Sequence, residues 1–246
     1  MIIICMILAV VPSLLLVMVL ERLDEGWDND RSIVIKLMLG GMLSVMFAAA
    51  AEELGDELLL EMGFSGNWYS FLDNFLVTAV TEEIIKFLVM MIVAGGLLSQ
   101  LEEYRIIKYM ILAGSGFALA ENLVYCMDGD LLVAGMRAVM CIPGHAMYGL
   151  FMGHEMVKMF RAADQGRYLD MFKSSIGMLL IPILHHGIYD FSIDLENDWV
   201  ILFTLVYNVV LYKVSIDMLK KAAKEQIQEP CMAAQIDAAP VWAGTI

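Results

Sequence analysis

Thr81-Glu82-Glu83-Ile84-Ile85-Lys86 lies inside an otherwise apolar run, residues 75–98. A helix of that length rises about 1.5 Å per residue and suits a hydrocarbon core of about 30 Å. Each charged side chain placed there costs roughly 2.5–3.5 kcal/mol. Two carboxylates and an ammonium in such a run must be compensated, or used. The first constraint on the fold is therefore a partner for each of these charges.

The rest of the chain is of the same kind. It has 246 residues, of which 60% are hydrophobic, and its mean hydropathy is +0.73. Charged residues are 18%, against about 25% in soluble domains. This composition predicts an all-α, polytopic transmembrane helix bundle. The net charge of −14 does not describe the whole surface, because the acids cluster in residues 21–30, 52–61, 128–130 and 194–198. That segregation argues against a nucleic-acid partner. Four cysteines (Cys5, Cys126, Cys141 and Cys231) form no CxxC pair and read as apolar filler. The 21 methionines read as helix packing. The apolar start lacks a basic leader and is expected to be a retained first helix.

About seven spans are predicted, near residues 3–20, 33–51, 71–98, 106–126, 131–160, 174–191 and 199–219. The fifth is expected to be interrupted at Pro143-Gly144. Residues 52–70 are expected to form an acidic outer connection with a short amphipathic piece, before Trp68 and Tyr69 mark an interface. Residues 1–219 form one predicted membrane domain. Residues 220–246 are expected to be a disordered cytoplasmic tail. Basic residues set the orientation. The loops after the second, fourth and sixth spans contain no Lys or Arg. Those after the first, third and fifth contain Arg22, Arg31, Arg105, Lys108, Lys158, Arg161, Arg167 and Lys173. This alternation predicts an outer N-terminus and a cytoplasmic C-terminus.

Ionisable groups recur at one depth. Lys86 is i+4 from Glu82 and i+3 from Glu83, so the three can share a helix face. Glu121 and Asn122 follow Phe117 near the outer end of the fourth span. His145 follows Pro143-Gly144, where a proline frees backbone groups that a polar cavity tolerates better than lipid does. His185 and His186 are adjacent, and Asp190, at i+4, favours His186 as the inward one. With the predicted orientation, Glu82, Glu83, Glu121, His145 and His186 all fall in the outer half of the bilayer. Each has a bland reading as packing or interface. Their convergence from four helices points to a functional site.

Carboxylates with neutral imidazoles can hold Zn²⁺ and leave a position for water, which a further carboxylate can deprotonate. A buried glutamate pair can also activate water without metal. Either scheme hydrolyses an acyl bond, most plausibly a peptide, within the membrane. The same cluster also fits a proton- or cation-coupled transporter, although no inverted repeat with paired broken helices is visible. A binding module that kept the fold without chemistry is a third reading. No HExxH is present, because Lys158 stands where its second histidine would be.

Taken in order, Glu82-Glu83-x-x-Lys86, Phe117-x-x-x-Glu121-Asn122, His145 and His186-x-x-x-Asp190 resemble the motif set of the PrsW family of bacterial intramembrane proteases. That family is related to the CAAX prenyl endopeptidase and bacteriocin-processing group. The resemblance covers about residues 74–191. It implies an intramembrane endopeptidase of the bacterial cell membrane that cuts a single-span membrane protein, as in site-1 cleavage of an anti-sigma factor in a stress response. It implies that Glu82 and Glu83 activate water or bind metal. Glu121, His145 and His186 would be metal ligands or transition-state stabilisers, Asp190 an orienter, and Lys86, Phe117 and Asn122 supports. Zn²⁺ is the implied metal, and a metal-free glutamate mechanism stays open beside it. Of the two adjacent glutamates, Glu83 is slightly favoured as the one facing the water.

Overall fold

A computed structural model describes residues 1–24 and 31–226, and the sequence expectations for residues 25–30 and 227–246, with Cys231, lie outside it. The described residues form an all-α bundle. Its helices are α1 (Ile2–Leu23), α2 (Arg31–Glu61), α3 (Gly66–Leu72), α4 (Ala79–Ala94), α5 (Glu103–Tyr125), α6 (Leu131–Asp164), α7 (Tyr168–Asp194) and α8 (Asp198–Glu225). A π-helical segment, Asp73–Thr78, joins α3 to α4, and a 3₁₀ segment, Gly95–Gln100, follows α4.

Among the described residues, α1, α2, α6, α7 and α8 are long and apolar enough to cross a membrane. Their outer faces carry exposed Leu14, Phe47, Val139, Leu180 and Val206, as lipid contact requires. The seven expected segments are all helical, but two do not meet that length and composition. The regular part of α4 is cut to 16 residues by the π and 3₁₀ segments. α5 is buried at every position from Tyr104 to Leu119. A helix walled in by protein needs no apolar outer face, so α5 can carry Arg105, Lys108 and Glu121.

Three expectations are corrected. α2 does not stop at residue 51; it continues to Glu61, and with α3 starting at Gly66 only residues 62–65 of the supposed acidic connection are not helix. Its inward stripe Gly41, Ser44, Ala48, Glu52, Gly55 and Leu59 keeps helical spacing throughout, which carries the helix past the acids. α6 is not interrupted at Pro143-Gly144 but is continuous, with Pro143 inside it. The proline deprives the preceding turn of a donor, and the Tyr212 hydroxyl of α8 donates to the Met140 carbonyl there at 2.7 Å. α8 runs to Glu225 rather than ending at residue 219.

Glycines let α5 approach both neighbours. A Cβ on Gly116 would lie 2.2 Å from the Met38 carbonyl oxygen of α2, and one on Gly41 would lie 2.3 Å from the Ala113 oxygen. Toward α6, a Cβ on Gly149 would lie 2.6 Å from the Met110 oxygen, and one on Gly114 would lie 2.8 Å from the His145 oxygen. That last contact fixes His145 against α5. At the other end of α5, Lys108 pairs with Asp24 at 2.7 Å and with Glu21, and Arg105 reaches Asp24 at 3.4 Å. Two of the basic residues in the orientation pattern are thus neutralised inside the bundle.

Gly116→Val would drive side-chain atoms into the α2 backbone. It is expected to cost about 3 kcal/mol or more, read as a lower thermal midpoint of the detergent-purified protein. Gly135→Ala, in a helix with open space around it, should leave the midpoint unchanged or raise it.

Candidate active site

The buried Lys86 ammonium is the centre of the cluster. Its Nζ lies 2.8 Å from Glu82 Oε2, 2.8 Å from Glu83 Oε1 and 2.7 Å from His145 Nδ1, and 4.5 Å above the Phe117 ring. The i+3 and i+4 spacing on α4 brings both carboxylates to one amine, as expected. α5 supplies the ring beneath it and α6 the imidazole.

The two histidines are held differently, His145 between an ammonium and a carboxylate and His186 between two carboxylates. His145 accepts from Lys86 at Nδ1, so Nε2 carries the proton, and that N–H meets Glu121 Oε2 at 3.1 Å. His186 has Nδ1 2.9 Å from Glu83 Oε1 and Nε2 2.9 Å from Asp190 Oδ2. The remaining distances converge on Glu82 Oε2, which is 3.9 Å from His145 Nδ1 and 3.7 Å from His186 Nε2. Each imidazole therefore turns one nitrogen toward Glu82 and the other toward a different carboxylate. His186 also stacks on Tyr148, with ring centroids 5.0 Å apart.

α7 is positioned by close packing. A Cβ on Gly187 would lie 2.5 Å from the Phe75 ring of the π segment. Phe71, Phe75 and Phe191 form an aromatic cluster at the same place. Asn74 in the π segment donates to Asp194 Oδ2 at 2.7 Å. His185 turns away from the cluster and bonds the Tyr207 hydroxyl on α8. The preference for His186 therefore agrees with the geometry. His154, on the same helix as His145, lies outside the cluster.

A cavity of about 550 Å³ opens beside these groups, walled by Glu82, Glu121, His145, His186 and Asp190 among others. The ends of α2, α5 and α7 and the starts of the π segment and α6 frame it, so it belongs to the end of the bundle predicted as outer. Glu82 lines it and Glu83 does not; Glu83 is fully buried behind Lys86. The slight preference for Glu83 as the water-facing residue runs against this geometry.

Glu82, His145 and His186 offer ligand atoms within 4.8 Å of one another. A tetrahedral site with bonds of ~2.0–2.1 Å has ligand–ligand edges of about 3.3–3.5 Å, close to the 3.7 and 3.9 Å found at Glu82. The residue types fit a metal, but Lys86 Nζ lies 2.8 Å from Glu82 Oε2 and 2.7 Å from His145 Nδ1, so a metal held by these atoms would take the place of the ammonium there. With a metal bound, Glu83 and Glu121 would stand where outer carboxylates orient metal-bound histidines. Glu121 itself also belongs to a second set, with Cys141 and His145. It is held from outside by Arg137, 2.5 Å from Oε1.

Three groups at the site lie outside the four motifs. Arg137 binds Glu121, donates to Asn122 Oδ1 at 2.8 Å and lies over the Tyr125 ring. A lone arginine in an apolar segment is a signal in its own right. Cys141, a buried free thiol, lines the cavity 3.6 Å from Glu121 Oε2. Glu52 lines it from α2, and its place on the Ser44–Ala48 stripe marks it as inward-facing.

A model of the family described as "PrsW family intramembrane metalloprotease" matches residues 29–216. The chain belongs to the PrsW family. Among its relatives, a protein named Protease PrsW from Clostridioides difficile (strain 630) is 29% identical over 220 residues, covering 87% of this chain and 89% of its own. Protease PrsW of Bacillus subtilis (strain 168) is 31% identical over 153 residues, covering 62% and 68%. No solved structure matches the chain. PrsW family membership and the apolar helices make this a bacterial multi-pass membrane protein and an intramembrane protease. That decides the choice between a protease and a transporter. Its substrate is a membrane protein in a lipid bilayer.

Lys86→Met should strand Glu82 and Glu83 as buried charges and cost about 3–5 kcal/mol. Adding Glu83→Gln should recover part of that loss, because the two residues share one network. Thermal unfolding of the single and double variants checks it; strictly additive losses would contradict the coupling.

Proposed function

We propose that the chain is a zinc-dependent intramembrane endopeptidase of the bacterial cell membrane. It hydrolyses a peptide bond in a single-span membrane protein, an anti-sigma-factor-type regulator cut at site 1. The substrate class follows from the family resemblance. The observation that carries the site assignment is the paired arrangement of His145 and His186, each with one nitrogen toward Glu82 and the other on a separate carboxylate.

Glu82, His145 and His186 would hold the metal. Bound there, Zn²⁺ would bring the pKa of water to about 7 and polarise the scissile carbonyl. Glu83 holds His186 Nδ1 and Glu121 holds the Nε2 proton of His145, so the opposite nitrogens, His186 Nε2 beside Asp190 and His145 Nδ1 beside Lys86, would face the metal. Arg137, itself anchored on Asn122 Oδ1, holds Glu121 in place. Asp190 lines the cavity beside His186 Nε2 and positions that ring. Lys86, seated on Phe117, balances the charge of the glutamate pair.

The helical domain, which α8 carries to Glu225, holds the activity, with its cavity toward the outer surface and the C-terminus in the cytoplasm. The charge alternation along the sequence supports this orientation, with Arg105 and Lys108 carrying less of its weight because of their internal partners.

The test is reconstitution with single-span membrane proteins in lipid vesicles. Wild type should cleave one of them and carry one zinc per chain. Glu82→Gln and His186→Ala should lower cleavage by about 10²-fold or more and lose the zinc. Undiminished cleavage by both variants would remove the assignment. Zinc retained by both would remove the ligand set.

A further inference from the structure

The proposed centre uses Glu82 as a ligand and Glu83 and Glu121 as orienters, which leaves the proton transfers of hydrolysis without an assigned residue. We infer that Glu52 of α2 is the general acid–base of the reaction, an inference that rests on the proposed hydrolytic site.

Geometry brings Glu52 to the right place. It stands on the inward stripe Gly41, Ser44, Ala48, Glu52, Gly55, Leu59, of which Gly41, Ser44, Ala48 and Leu59 are buried. One turn beyond it, Gly55 packs so tightly on the π segment that a Cβ would lie 2.5 Å from Val77. That contact holds this part of α2 against the cavity. Glu52 lines the same 550 Å³ space as Glu82, His145 and His186. Glu52 thus shares one cavity wall with the cluster, from a different helix.

Hydrogen-bond accounting then singles it out among the lining acids. Glu82 is bound by Lys86, Glu121 by Arg137 and His145, Asp190 by His186, and Asp194 by Asn74. Asp73 has no oxygen that is both buried and unpartnered. Glu52 Oε1 is buried with no hydrogen-bond partner among the described residues. An unmet buried acceptor is costly, and a carboxyl poised to take a proton from water gives such an oxygen a use.

The step balances without any further reagent. A water oxygen attacks the scissile carbonyl carbon, the carbon–oxygen π pair moves to the carbonyl oxygen, and Glu52 takes the water proton. The tetrahedral species collapses, the C–N bond breaks, and Glu52 returns that proton to the departing amine. One carboxyl-terminal and one amino-terminal product leave, and Glu52 is again a carboxylate.

The test uses the full chain in vesicles with the single-span substrate that wild type cleaves. Glu52→Gln should lower kcat by about 10²–10⁴-fold with KM, zinc content and thermal midpoint near wild type. Glu52→Asp should retain more activity than Glu52→Gln. Formate, which the space left by Glu52→Ala can admit, should raise that variant's kcat by about tenfold or more over chloride at equal ionic strength; a purely structural role would not respond. A Glu52→Gln enzyme with kcat within about threefold of wild type would overturn the inference. So would a loss confined to KM or folding, or a Glu52→Ala enzyme deaf to formate. His186→Ala is the control: if it still cleaves, the hydrolytic site is misplaced, whereas an inactive His186→Ala beside a fully active Glu52→Gln removes Glu52 alone.

Discussion

A buried ammonium shared by two carboxylates and an imidazole organises this protein. Lys86 is 2% exposed, and Glu83, one of its partners, is fully buried. Stranding any one of these charges in a low-dielectric interior would cost several kcal/mol, so α4, α5 and α6 must meet where they do. The same constraint shapes the surrounding sequence. Phe117 gives the amine an aromatic face, Arg137 balances the second carboxylate on His145, and the glycines of α5 let the neighbouring backbones come close enough for short side chains to touch.

Much of this is written in the sequence. The i+3 and i+4 spacing of Glu82, Glu83 and Lys86 puts them on one face whatever the rest of the fold does. The i+4 relation of His186 and Asp190 points to the histidine that the fold turns into the cluster, while His185 faces Tyr207. Each of the seven segments that hydropathy marks is helical. What escapes is of two kinds. The π segment Asp73–Thr78 shifts the register between α3 and α4, and no local residue pattern announces it. The extent of α2 and α6 is hidden because acids and a proline signal breaks, yet packing overrides both.

The division of labour between the two glutamates also needs the third dimension. Adjacent helical residues point about 100° apart, so one must face the cavity and the other must not. Only the placement of α7 shows that Glu83 is the one taken up by His186 Nδ1, leaving Glu82 at the cavity wall. The roles of Glu52 and Arg137 were legible in principle: one continues an inward stripe, the other is a lone cation in an apolar segment. Neither belongs to the motifs that carry the family resemblance, which is why motif reading passes over them.

The proposed metal-binding set is Glu82, His145 and His186, rather than the alternative of Glu121, Cys141 and His145 that the fold also brings within 4.8 Å. X-ray absorption at the zinc edge of the purified full chain separates them directly. The account predicts a first shell of nitrogen and oxygen only, near 2.0–2.1 Å, with the outer-shell scattering of two imidazoles. A sulfur ligand near 2.3 Å, or a first shell with a single imidazole, would contradict it.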